Sequence, residues 1–149
     1  MTRHRVAELT GALLDAAVAL AEGYRVVPAP CDPQGCWVDD GGCNPWPYRP
    51  STDRALAMSI LWEDQIFLDP PRSVHASMVK ADGTPKGGIW RSYENWQATV
   101  SARTRTIPNP HDPELPRIVG RGEGPDPLIA ICRAKVASHF GEFVELPDA

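Results

Sequence analysis

Sixteen prolines cut this 149-residue chain into short segments, and their placement limits the fold more than any other feature. Proline fixes φ and lacks a backbone N–H, so it ends helices and stays out of central strands. The prolines crowd at 28–50, 70–71, 108–116 and 125–127, and each crowd reads as a loop. The intervals between them leave room for short helices and short strands only. The length suits one domain, spanning 1–149, with enough chain to bury a core of its own.

Three segments carry helix signals. Thr10 is a good N-cap, Leu9 and Leu14 stand at hydrophobic-staple spacing, and Leu13, Leu14, Ala17, Val18, Leu20 and Ala21 give an apolar stripe. Gly23 follows, so the spacing predicts a helix over 11–22. A second helix opens at 50–53, with Ser51 or Thr52 as its cap and Asp53 at the positive end of its dipole. Leu56, Ala57, Ile60 and Leu61 mark its buried face, and it ends near 62–64. The third starts with Asp126 as cap and Pro127 at the first helical position, and Gly141 stops it.

Strand signals fall between the helices. Residues 24–27 and 66–68 read as short strands, 74–79 and 89–93 as a hairpin around Asp82 and Gly83, and 96–104 as a strand of alternating faces. Residues 28–49 show neither period and hold three of the four cysteines, so they read as a long Pro/Gly/Cys-rich loop insertion. Residues 107–124 read as a second loop, and the N-terminal His4 as part of a frayed end. The expected fold is α+β, a small antiparallel sheet with helices packed on one face.

Charge excludes some functions. A net charge of −4 argues against general nucleic-acid binding. Residues 1–74 carry six basic and ten acidic side chains, whereas 75–149 carry nine of each. No apolar run reaches the length of a membrane span, and no signal-type core follows the N-terminus, so the expectation is a cytoplasmic protein.

Several residues could carry chemistry. Cys31, Cys36 and Cys43 are spaced C-x4-C-x6-C, a set that three thiolates and a histidine such as His75 or His111 could turn into a structural zinc site. Against it, no CxxC pair is present, and reduced thiols are the plainer reading. Cys132 falls on the buried face of the third helix and reads as core. Ser51, Thr52 and Asp53 cap a helix whose free N–H groups could also meet an anion. Gly122 to Pro125 is no phosphate loop, since lysine is missing and the spacing differs. Arg103 and Arg105 share a strand face, with Arg91, Arg117, Arg121 and Arg133 in the same half, and guanidinium forks suit phosphate. Trp96 reads as core. Trp37 and Trp46, inside the loop, could stack a base or lie buried.

Four blocks carry a family resemblance: Leu14 to Ala19 leading to Glu22-Gly23-Tyr24, then Tyr48 to Asp53, then Trp96-Gln97-Ala98, and last Gly124 to Ala130 followed by Arg133, Val136-Ala137-Ser138 and Gly141. In this order the chain resembles the NinX-like family of small bacteriophage proteins from lambdoid and related phages. Members often carry tryptophan where this chain has Arg54, and threonine where it has Asp126. The resemblance implies a phage accessory protein, acting in an infected bacterial cell, with no established reaction.

The sequence therefore sets three expectations. The first is a non-enzymatic binding protein that sequesters a small anionic, nucleotide-type host defence signal at Ser51, Thr52, Asp53, Trp96, Arg103, Arg105 and Arg133, with these residues converging on one hollow. The second is an interaction module that inhibits a host enzyme through the acidic N-terminal half and the loop 28–50. The third, ranked last, is a metal-assisted hydrolase on Cys31, Cys36 and Cys43, for which no general base stands nearby. Assembly into a homo-oligomer is compatible with all three.

Overall fold

A computed structural model of the chain describes residues 1–28, 35–42, 44–101 and 118–147. In chain order the elements are β1 (Thr2–Arg5), a single 3-10 turn (Val6–Glu8), α1 (Gly11–Ala21), β2 (Arg25–Val27), β3 (Trp37–Asp39), β4 (Trp46–Pro47) and α2 (Arg54–Glu63). β5 (Phe67–Asp69), β6 (Arg72–Val79), β7 (Pro85–Tyr93), β8 (Trp96–Ser101), β9 (Ile118–Gly124), α3 (Pro127–Phe140) and β10 (Phe143–Leu146) follow. The fold is α+β, as expected. In place of one sheet, the described strands form four small ones, all antiparallel: β1-β10, β2-β3-β4, β5-β8-β9 and the β6-β7 hairpin.

The helices form where their caps and periodicity place them. Leu9 and Leu14 are both buried, which is what a staple across the start of α1 requires. Thr10 has the extended backbone of an N-cap, but its side chain makes no capping bond. α1 is buried almost all round, from Leu14 to Ala19. It packs on α3, whose Ile131, Cys132 and Val136 are fully enclosed. Ile60 of α2, Val100 of β8 and Leu146 of β10 complete this core.

The region around α3 corrects the expected loop at 107–124. Residues 118–124 form β9, paired with β8 in the register Trp96↔Gly124, Ala98↔Gly122 and Val100↔Gly120. The three alternating glycines are the cause. They turn to the α3 side of the strand, and a Cβ on Gly122 would lie 2.1 Å from the Ala130 carbonyl oxygen. On Gly120 it would lie 2.6 Å from the Ala134 oxygen. Helix backbone therefore rests directly on strand backbone, which only glycine allows. The opposite face of this sheet carries Phe67, Asp69, Gln97, Thr99, Arg121 and Glu123.

Two more segments differ from expectation. Part of 28–49 is strand, because β2 gives β3 a ladder and Val38 is fully buried there. Pro47 sits on β4, at the edge of its sheet, where a missing N–H costs no ladder bond. Tyr24 packs edge-on against Trp46, 5.7 Å between centroids, so Trp46 belongs to this small cluster. The N-terminus is also ordered: His4 lies opposite Val144. Thr-Arg-His-Arg has no strand pattern of its own, and the partner β10, with Val144 and Leu146 buried, supplies it. Arg5 adds a 3.0 Å ion pair to Glu142.

Candidate functional site

The chain before α2 is built around a buried carboxylate. Arg49 turns the backbone, its carbonyl accepting from Thr52 N at 3.0 Å and Asp53 N at 2.7 Å. Pro50 and Ser51 are consequently drawn inward and buried. The Ser51 N–H donates to Asp15 Oδ1 at 2.8 Å, tying α2's lead-in to α1. Burial pushes the Asp15 carboxyl above its ordinary range, and the Ser51 amide and the Arg49 charge offset this only in part.

The cap of α2 is Asp53, where the sequence suggested Ser51 or Thr52. Its Oδ1 accepts from Ala55 N at 2.8 Å and Leu56 N at 3.2 Å. Ser51 is drawn inward and buried, with its N–H bonded to Asp15, and the Thr52 hydroxyl turns back to the Arg49 carbonyl at 3.4 Å. The N–H groups that an anion would use are therefore already met by a carboxylate. Beside them lies a hollow of about 570 Å³ lined by Pro47, Arg49, Thr52, Asp53, Arg54 and Leu56.

Arg133 stands elsewhere. It projects from α3 and wraps the outer edge of β9. Its Nη1 donates to the Glu123 carbonyl at 2.6 Å, while Nε and Nη2 reach the Leu9 carbonyl at 3.2 and 3.0 Å. It lines a second hollow of about 670 Å³ between β9 and the 3-10 turn. Trp96 is half-buried and packed against the core. Arg103 and Arg105 fall outside the described residues. Among those described, then, the expected convergence does not occur: Thr52 and Asp53 line one hollow, Arg133 another, and Ser51 neither. Asp53 and Arg133 spend their side chains on the fold, and Ser51 spends its backbone N–H there.

The cysteines divide likewise. Cys31, Cys43 and His111 lie outside the described residues, as does the side chain of His75 on β6. Cys36 is buried, and burial followed by the nearby Asp15 charge pushes its thiol up to about 12. That setting holds the proton on sulfur in the metal-free chain. Among the described residues no three His, Cys, Asp or Glu gather as a metal site. Cys132 is a core residue, its thiol pushed up first by burial.

The feature that sequence reasoning missed is apolar. Trp62 is 82% exposed and Phe67 67%, and the two flank a hollow of about 340 Å³ with Leu61, Gln65 and Ile66. Gln65 makes the turn between them at φ 52°, a left-handed conformation that is uncommon without glycine. The Ile66 N–H reaches back to the Leu61 carbonyl at 2.9 Å and fixes that turn. Beneath it, Lys135 of α3 pairs with Glu22 and, at 2.7 Å, with Asp64 just after α2. Burial alone would pull the Lys135 ammonium down, yet the two carboxylates outweigh it and leave it raised. A signal for the patch was present: with Ala57 and Ile60 facing the core, Met58 and Trp62 sit one turn apart on the other face of α2.

No family model matches the chain, and no curated protein matches it. Within the fold, the four sequence blocks touch one another. Asp15 of the first holds Ser51 of the second, Trp96 of the third pairs with Gly124 of the fourth, and α1 packs on α3.

Proposed function

We propose that this protein is a non-enzymatic binding module whose partner is another protein, gripped through Trp62 and Phe67 at the end of α2. The observation that carries this reading is the pair of large aromatic rings held in water around a hollow on a pinned turn. Aromatic side chains anchored beside a pocket are the usual energetic centre of a protein contact. Loose surface rings would cost entropy on docking, whereas the turn at Gln65 and the Lys135 ion pairs hold both flanks in place beforehand. The NinX-like resemblance suggests the setting: a phage accessory protein that inhibits or redirects a host enzyme in the cytoplasm of an infected cell. Trp62 and Phe67 replace the loop 28–50 as the contact, because Trp46 is engaged with Tyr24.

The test compares wild type with Trp62→Ser/Phe67→Ser as immobilised baits in host lysate. Wild type should retain one host protein in near-stoichiometric amount, and the double variant should release it while melting at the same temperature. Undiminished capture by the variant would overturn the reading.

A second reading keeps the nucleotide-type ligand, in the hollow beside α2. What favours it is the pair Arg49 and Arg54 on either side of Thr52, in a volume of small-molecule size. A thermal-shift screen against cyclic dinucleotides and cyclic ADP-ribose isomers decides between the two. A rise of several degrees with one of them, abolished by Arg54→Ala, would move the function to this hollow.

A further inference from the structure

α2 turns a whole face to solvent, and the two ends of that face are unlike. Ala57 and Ile60 point into the core, whereas Arg54, Ala55, Met58, Ser59, Trp62 and Glu63 are exposed. Ala55 and Trp62 are seven residues apart, almost two turns, so they stand on one line along the helix about 10 Å from each other. Met58 and Ser59 lie between them, one on either side of that line. The last turn carries the indole of Trp62, 82% exposed. The first turn carries the smallest side chain of the face, Ala55, and next to it Arg54, which lines the hollow of about 570 Å³.

The ends also differ in charge. Around the first turn, Arg49 and Arg54 stand against Asp53. Around the last, Glu63 and Asp64 with nearby Glu22 stand against Lys135. The face is therefore positive where it is small and hollow, and negative where it is large and aromatic. A face of this kind complements itself when turned end for end, which is the geometry of a two-fold dimer. About an axis level with Met58 and Ser59, an antiparallel second α2 sets Arg54 level with the partner's Glu63 and Ala55 under the partner's Trp62, and does so twice. Each indole then lies over a methyl group with room for it, beside a guanidinium that gains from the face of the ring. Glu63 already accepts from Ser59 at 3.3 Å, and a carboxylate has lone pairs for more than one donor. A parallel pair would instead set Arg54 level with Arg54 and Glu63 with Glu63, so charge selects the antiparallel one.

We infer that the exposed face of α2 is the contact of a symmetric dimer of this chain, in which Trp62 of each copy covers Ala55 beside Arg54 of the other. The inference rests on the reading of Trp62 as a docking anchor and adds regulation to that site, because a second copy and a host partner compete for the same ring. Two helices of ten residues make a small interface, so the association is weak and reversible.

Sedimentation velocity of the full chain, from micromolar to millimolar, tests the inference. Wild type should pass from one chain to two and stop there, since a two-fold contact closes on itself. Trp62→Ser should lower the association constant about tenfold or more, the loss expected of a central aromatic anchor. Arg54→Glu and Glu63→Arg should each weaken the dimer, and the two together should restore it, because unlike ends again meet. Ala55→Phe should leave a monomer at unchanged melting temperature by filling the space that the partner's Trp62 needs. A single chain at every concentration, growth beyond two chains, no recovery in the charge swap, or an undiminished dimer in Trp62→Ser or Ala55→Phe would each overturn the inference. Capture of a host protein without any dimer would overturn it and leave the proposed function standing, whereas a dimer without host capture would do the reverse.

Discussion

The seam between β9 and α3 and the turn between α2 and β5 treat side chains in opposite ways. At the seam, Gly120, Gly122 and Gly124 remove side chains so that two backbones can touch. At the turn, Trp62 and Phe67 are among the largest side chains in the protein and are left in water. The seam gains stability from close packing and gives no grip to a partner. The two rings add almost nothing to the folded state and would offer a partner two apolar anchors. The contrast separates what holds this molecule together from what it can use, and the polar residues singled out by sequence fall mostly on the holding side.

The sharpest way to break that contrast is Gly122→Ala. The added methyl would meet helix backbone that cannot step aside, so the protein should lose about 3 kcal/mol or more in urea unfolding. Wild-type stability in this variant would mean that the seam is not backbone contact at all.

Asp15 comes next. Asp15→Ala leaves the buried Ser51 N–H without an acceptor and should cost about 1–3 kcal/mol. Asp15→Asn keeps a carbonyl for that N–H and removes the buried charge. Because the folded carboxyl is raised, its contribution is fully present below the ordinary aspartate range and is lost as pH rises through the folded value. Asn should therefore match wild type in acid and exceed it near neutrality, and parallel pH–stability curves would contradict the assignment.

Lys135→Met probes the support beneath the aromatic turn. It leaves Glu22 and Asp64 facing each other in a part-buried site and should cost about 1–2 kcal/mol, less than for a fully enclosed pair. The raised Lys135 value carries its own sign: the stabilisation is present below the ordinary lysine range and disappears as pH climbs through the folded value. Wild type and variant should accordingly converge only in strong alkali. Smallest of all is the effect of Trp62→Ser/Phe67→Ser on stability, within about 0.5 kcal/mol as for other exposed positions. A large loss there would assign the rings to the fold instead of to a partner.

Much of the scaffold was legible because its signals are local. Pro127 and Asp126 start α3, the Leu9–Leu14 staple starts α1, and the alternation of 96–101 makes a strand whatever surrounds it. β9 was not legible, since Gly-rich chain reads as loop until α3 is laid upon it. The candidate site was misread for a related reason. Asp53 and Arg133 have the chemistry of ligand contacts, but bonds to α2's own backbone and to Leu9 use the same groups, and Ser51 is buried with its N–H on Asp15.

By itself the sequence determined where the chain can be helical, where proline and glycine interrupt it, and that α2 has an apolar face and an opposite one. Only the tertiary structure decided which polar groups remain for a partner, which glycines are contacts and which rings stay exposed. The reason is range: caps and periodicity act over a few residues, whereas the bond from Asp15 to Ser51 and the bridge from Arg133 to Leu9 join positions far apart in the chain.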